Sequence, residues 1–306
     1  MYPNGSESSF KNHLIAIVIA IVSCIAVLGA MNFFGLTAKQ QHKQDETLQI
    51  GDGLTVHFID VGQGDSILLT CGGKSMLIDG GGDHAGGTVV DYLKQQDVQR
   101  LDYLIATHPH RDHIGGLHDV VRNYPIGTVY TPVTESDNAY FQMFRDACDD
   151  ANLKLTVPKA DKRFSLGDAK VTVLGPRGKV TETENLNNIS LVLRVDYKDR
   201  SFLFTGDAEY DEETDILDAK CVVDVDVLKA GHHGSDYSTG SRLLYEASPE
   251  YCVISCGKGN EYGHPDEDLL SRLRDADVTV YRTDEQGTVI CITDGKELRF
   301  VTEKDK

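Results

Sequence analysis

Residues 107–116 read THPHRDHIGG. His108, His110, Asp112 and His113 put three imidazoles and a carboxylate within six positions, ahead of a glycine pair. Imidazole nitrogen and carboxylate oxygen are ligands that suit zinc, manganese or iron. On a loop, His108 and His110 can turn toward one ion while Asp112 and His113 reach a second. Gly115 and Gly116 permit close backbone approach as a helix begins. The preceding run, LDYLIA (101–106), is strand-like, so a strand end delivers the loop.

The same arrangement recurs further out. KSMLIDGG (74–81) leads an apolar run to Asp79, RSFLFTGD (200–207) leads to Asp207, and VDVDVLKAGHH (223–233) leads to His232 and His233. If these ends gather at one rim, they make a rigid site fed by loops. Asp207 is then placed to bridge two ions. Such a pair lowers the pKa of a bound water and holds phosphoryl oxygens as charge develops. The pattern alone does not choose phosphate over carbonyl chemistry.

Further strands are expected at 54–62, 66–71 and 127–132, and in the segments LKLTVP, KVTVLG, ISLVLRVDY, EYCVISCG, VTVYRTD and GTVICITD. Helices are expected at 87–96, after His113, at 138–152, in DEETDILDAK and at 264–276. Several strand pairs have connections too short for helical crossovers. That favours two packed sheets with helices outside over a parallel doubly wound sheet.

At 40% hydrophobic and 25% charged residues, the 306-residue chain is globular in composition. Its formal net charge of -18 argues against a broad, sequence-blind nucleic-acid surface. A local site survives that argument, because bound cations can offset acidic ligands and hold an anion. The seven cysteines form no disulfide framework or zinc knuckle and read as core thiols, with one or two disulfides left open.

The chain divides into a tail (1–13), an uncharged run LIAIVIAIVSCIAVLGAMNFFGL (14–36), a polar linker (37–52) and a globular domain (53–306). The run is long enough to cross a bilayer and reads as a transmembrane anchor or uncleaved signal segment. IVSC (21–24) also has the look of a lipoprotein processing site. Lys11 before the run and Lys39 and Lys43 after it slightly favour an internal domain.

VHFIDVGQGDSILL, MLIDGG, LDYLIATHPHRDHIGGL, NNISLVLRV, FLFTGDAE, DVLKAGHHGSDYST and YGHP, in that order, closely resemble the soluble hydrolase domain of the ComEC-type competence proteins. The signature loop resembles that of the wider metallo-beta-lactamase fold superfamily. The resemblance covers nearly all of 53–295 and implies an α/β (α+β) four-layer αββα sandwich, preceded here by a single transmembrane helix. It implies a hydrolase with two divalent ions, manganese or zinc, acting on DNA or another phosphodiester. It further implies an externally facing domain held to the cell membrane. With one apolar run, the chain is expected to lack the family's DNA channel.

By resemblance, His108 and His110 match the ligands of one metal and Asp112 and His113 those of the other. Asp207 matches the bridge, and His232 the last ligand, with His233 behind it. Asp79 orients the histidine loop. Asp112 and Asp207 position the water, and His264 acts near the substrate by contact with a phosphoryl oxygen or by proton transfer. Lys229 and Ser235 are candidates for stabilising the developing charge. Many two-metal members carry a further histidine where this chain has TENLNNISLVL. Asn188 is the expected occupant, a weaker ligand, so one metal is expected to bind loosely. The alternatives are a hydrolase of a cell-envelope or small phosphodiester substrate, and an anchored accessory protein that binds metal or DNA without turnover.

Overall fold

The computed structural model describes residues 53–178 and 185–304. The expected tail, membrane span and most of the linker lie outside the described residues. None of the helices among the described residues is long and apolar enough to cross a membrane.

Fifteen strands are present among the described residues: β1 (Leu54–Phe58), β2 (Ile67–Cys71), β3 (Lys74–Ile78), β4 (Leu101–Ile105), β5 (Ile126–Tyr130), β6 (Leu155–Thr156), β7 (Arg163–Leu166), β8 (Ala169–Gly175), β9 (Val192–Tyr197), β10 (Arg200–Phe204), β11 (Val227–Lys229), β12 (Tyr251–Ile254), β13 (Thr279–Arg282), β14 (Val289–Thr293) and β15 (Leu298–Thr302). One sheet runs β15-β14-β1-β2-β3-β4-β5-β6 and the other β13-β12-β11-β10-β9-β8-β7. Both are mixed. β3 through β6 are parallel in the first, and β10 through β13 are parallel in the second.

Period-two alternation sorts side chains between layers. Ile67 and Leu69 on β2, Met76 and Ile78 on β3, and Phe202 and Phe204 on β10 meet in the core between the sheets. There the Phe58 and Phe204 rings lie 6.2 Å apart, centroid to centroid. Leu68, Leu77 and Leu203, one residue out of phase, point the other way into two outer cores. On the first sheet that outer core is completed by α1 (Gly86–Gln95), α2 (Arg111–Ile114), α3 (Leu117–Asn123) and α4 (Ala139–Asp150). On the second it is completed by α5 (Tyr210–Asp218), α6 (Ser241–Ala247) and α7 (Glu267–Asp275), with the short α8 (Thr283–Gln286) following β13. The layers therefore run helices, sheet, sheet, helices.

Local chemistry sets the helix starts. Asn138 caps α4 by accepting the N–H groups of Tyr140 at 2.9 Å and Phe141 at 3.2 Å. Phe141, Phe144, Ala147 and Cys148 form its buried stripe. The six cysteines among the described residues are free and mostly buried, so the disulfides left open by the sequence are absent there.

Candidate metal centre

Parallel strands carry their C-terminal ends to one edge, and in this fold both sheets do so at the same rim. Asp79 follows β3, His108 follows β4, Asp207 follows β10, and the turn Gly231–Gly234 follows β11. The chain turns sharply at each exit. Asp79, His232 and His233 adopt positive φ (58°, 47° and 55°), a conformation costly for residues with a side chain and concentrated at functional sites. Gly116 is required for a different reason: a Cβ there would collide with the carbonyl of Gly80.

Asp79 is buried and fastens the loop. Its carboxylate accepts the Thr107 N–H at 2.8 Å and the Thr107 hydroxyl at 2.6 Å, and lies 2.7 Å from His113 Nδ1. With Nδ1 so engaged, His113 presents Nε2 to the interior. His233 is wired the same way from the other sheet, its Nδ1 standing 3.0 Å from the Ser255 carbonyl. The two Nε2 atoms face one another at 3.1 Å. Asp207 Oδ2 lies 3.1 Å from His113 Nε2 and 3.5 Å from His233 Nε2, and Asp112 Oδ2 lies 3.2 Å from His233 Nε2. A second group stands on the other side of Asp207. His108 Nε2 and His110 Nδ1 are 3.0 Å apart, and His108 Nε2 and His232 Nε2 are each 3.8 Å from Asp207 Oδ2.

These donors fit divalent metal. Ligand atoms on a tetrahedral ion with bonds of about 2.1 Å stand roughly 3.4 Å apart, close to the spacings observed. Asp207 Oδ1 is buried with no hydrogen-bond partner, a costly state for a carboxylate unless a cation satisfies it. Imidazoles whose far nitrogen is held by a carboxylate or carbonyl are oriented as metal ligands are. His113, Asp112 and His233 would hold one ion, and His108, His110 and His232 the other, with Asp207 between them.

The charges are mutually dependent. Burial opposes ionisation of His113, but Asp207 and Asp79 outweigh it and hold the imidazole well above its ordinary pKa. His233 is likewise disfavoured by burial yet is raised by Asp207, Asp112 and Asp65 to about 9. Burial and the neighbouring His113 push His108 well below the usual histidine range. Asp207 stays ionised against its burial because His113 and His233 face it.

Several expected roles require correction. His233, expected behind His232, is the buried histidine that meets Asp112 and His113, whereas His232 is one-quarter exposed and touches Glu209 Oε1 at 3.4 Å. Asn188 faces away, its side-chain oxygen accepting the Glu209 N–H at 2.9 Å. Asn187 takes the inward place, with Nδ2 3.5 Å from His232 Nδ1 and Oδ1 buried without a partner. Lys229 does not reach a substrate. It is 1% exposed, and its ammonium lies 2.6 Å from Asp65 beneath the centre. Ser235 is also buried, and its hydroxyl accepts the Tyr237 N–H within its own turn. His264 lies at the rim, 5.5 Å from the His232 ring, with Nδ1 buried and without a partner.

Asp65 was not singled out by sequence. It is buried, it neutralises Lys229, and its Oδ1 is 3.3 Å from His233 Nδ1. The available signal was an acidic residue in the glycine turn of VGQGDS, directly between two strands.

Residues 59–258 match the family model of the metallo-beta-lactamase superfamily. The chain belongs to this superfamily. Within it, the chain is 29% identical over 252 residues to the ComE operon protein 3 of Bacillus subtilis, covering 76% of this chain and 32% of that protein. It is 31% identical over 239 residues to Recombination protein 2 of Haemophilus influenzae, covering 76% of this chain and 28% of that protein. The chain thus spans about a third of the length of these curated relatives. In three dimensions it is similar to the metallo-beta-lactamase fold protein YhfI of Bacillus subtilis, with a TM-score of 0.53 at 14% identity, covering 78% of this chain and 99% of that one. It is also 32% identical over 235 residues to the competence protein ComA of Neisseria gonorrhoeae, covering 75% of this chain and 31% of that protein. Superfamily membership and the clustered His113, Asp207, His233 and Asp65 agree on a metal-dependent hydrolase with a competence-type domain.

Proposed function

We propose that this superfamily member is a two-metal phosphodiesterase that cleaves DNA. The observation that carries the reading is Asp207 Oδ2, flanked by His113 and His233 on one side and by His108 and His232 on the other. A carboxylate so placed suits a pair of ions sharing one bridge. Manganese or zinc, when bound, supplies an activated water and charge to stabilise a phosphoryl oxygen. The chain's own residues do the remainder. Asp79 and the Ser255 carbonyl fix the tautomers and aim of His113 and His233. Asp112, the more exposed carboxylate of the group, orients the attacking water. His264, at the rim with its ring 5.5 Å from that of His232, is placed to bond a phosphoryl oxygen or to give a proton to the departing oxygen. Asn187 stands behind His232, its Nδ2 3.5 Å from His232 Nδ1, and helps fix that ring on the His108–His110 side.

DNA as substrate is supported by similarity to a recombination protein and a competence protein, each over three-quarters of the chain. We place the domain on the outer face of a membrane, held by residues 14–36, on the same similarity and the uncharged character of that run. A second reading, hydrolysis of a cell-envelope or small phosphodiester, is favoured by the net charge of -18.

The test is turnover by the full chain loaded with manganese or zinc, offered single-stranded and duplex DNA, bis(p-nitrophenyl) phosphate, a β-lactam and a thioester. Metal-dependent DNA cleavage lost in Asp207→Asn supports the proposal. Cleavage of the small phosphodiester without DNA cleavage favours the second reading. No turnover by metal-loaded protein of any substrate overturns both.

A further inference from the structure

Away from the metal centre, the outer face of the second sheet gathers cations. β7, β8 and β9 lie side by side at its edge. Their register sets Arg163 opposite Thr172, and Thr172 opposite Arg194. One threonine therefore stands between two arginines, with directly opposed Cβ atoms about 5 Å apart. Lys170 lies two residues from Thr172 on the same face. Arg177, just past the end of β8, and Lys220, just past the end of α5, complete the wall of a cleft of about 480 Å³.

The charge balance of this cleft is opposite to that of the molecule. Among the described residues, five basic side chains line it against Asp161 and Asp196, an excess of three positive charges in a chain of net charge -18. Both carboxylates are committed, Asp196 to Arg194 at 2.6 Å and Asp161 to Arg177 at 2.5 Å. Among the described residues, Arg163, Lys170 and Lys220 have no ion-pair partner, and Arg177 Nε is buried without a hydrogen-bond acceptor. The carbonyls at the end of α5 account for one cation, Lys220. They do not account for Arg163 and Lys170, which rise from the strands beneath. The register sets Lys170 opposite Asp196, a carboxylate already taken by Arg194, and Arg163 opposite Thr172, so neither cation has a carboxylate of its own across the ladder. An anion with several oxygens would supply the missing partner, and the Arg163 guanidinium fork beside the Thr172 hydroxyl matches phosphate geometry, whereas the Arg194 fork is taken by Asp196 and the carbonyls of Val222 and Asp224.

We propose that this cleft is a binding site for a phosphate-bearing anion, separate from the metal centre. The same chemistry is presented by a free phosphate compound and by the backbone of a nucleic-acid strand, and the experiment separates them. Metal-free full chain in chelator and low salt is titrated calorimetrically with inorganic pyrophosphate and, separately, with a deoxyoligonucleotide lacking terminal phosphate. The comparison protein is Arg163→Gln/Lys170→Gln/Lys220→Gln, checked for an unchanged melting transition. Saturable binding of either probe, weakened at least tenfold in the triple variant and by added salt, supports the proposal, and the probe that binds identifies the source. Equal affinity in the folded triple variant, or no binding of either probe to wild type at millimolar concentration, overturns it. Should the triple variant fail to fold, Arg163→Gln alone, on the exposed edge strand, must weaken binding at least threefold for the proposal to stand.

Discussion

Lys229→Met isolates the buried ion pair under the metal centre. Lys229 and Asp65 are both almost wholly buried, and their charged atoms lie 2.6 Å apart. Removing the ammonium takes the nearest cation from the buried Asp65 carboxylate and leaves His233, 3.3 Å away, and His113 as its remaining electrostatic support among the described residues. Breaking a buried pair from one side typically costs about 3–5 kcal/mol. For a domain of this size, 1 kcal/mol corresponds to roughly 2–4 °C in Tm, so Lys229→Met is expected to melt about 6–20 °C below wild type. Replacing both partners, Asp65→Leu with Lys229→Met, removes the stranded charge along with its partner and is expected to recover most of that loss. Calorimetry or thermal circular dichroism on the metal-free chains provides the measurement, with turnover as a second readout. Since Lys229 does not contact substrate, a folded double variant should keep metal-dependent turnover within about tenfold, whereas loss of a donor aimed at the transition state costs on the order of 10²–10³. A Tm for Lys229→Met within about 2 °C of wild type, or a double variant no more stable than the single one, would refute the assigned role.

Three other outcomes are expected. Burial raises Glu213 to about 7 against the opposing N–H groups of Thr239 and Gly240, so its stabilising contribution is full below its unfolded value of about 4.5 and is lost as pH rises through 7. Between pH 5 and pH 8 wild type should therefore lose up to about 3 kcal/mol that Glu213→Gln does not lose, measurable by urea unfolding; parallel pH profiles would contradict this. The carboxylates facing His113 and His233 favour their protonated forms, so a metal competes with protons for these nitrogens, and calorimetry in buffers of different ionisation enthalpy should show proton release, with affinity falling at lower pH. His233→Ala should abolish one of two metal equivalents by elemental analysis, whereas Asn188→Ala should retain both; the reverse pattern would restore the sequence expectation.

The strand ends that carry the site were legible because their hydrophobic runs are strong and their terminal residues chemically distinctive. β7 and β15 were not, because RFSL and LRFVT are partly exposed edge strands with little apolar contrast. The two misplaced residues share one cause. Asn187–Asn188 is a doublet in a tight 3-10 turn, where successive side chains point about a third of a turn apart, and His232–His233 is a doublet in a kinked turn with non-helical dihedrals. Composition cannot say which member of such a pair faces inward; backbone dihedrals decide, and at His232 and His233 they are left-handed. Asp65 escaped notice for a different reason. Its significance depends on Lys229, and only the packing of two sheets brings the β1–β2 turn under the end of β11. Lys229 itself looked available because strand-end lysines are usually solvated.

The distribution of donors between the sheets bears on durability as well as chemistry. His113 and Asp112 issue from one sheet, Asp207 and His233 from the other. An ion held by all four acts as a clasp across the mouth of the sandwich, and a ligand that binds only the closed form at a thousand times its Kd adds about 4 kcal/mol to the cost of opening it. Stripped of metal, the same mouth holds an array of facing imidazoles and carboxylates, so it should be the first seam to part. Amide exchange in the loops after β4 and β10 should then rise together when chelator is added, while the Phe58–Phe204 interior remains protected.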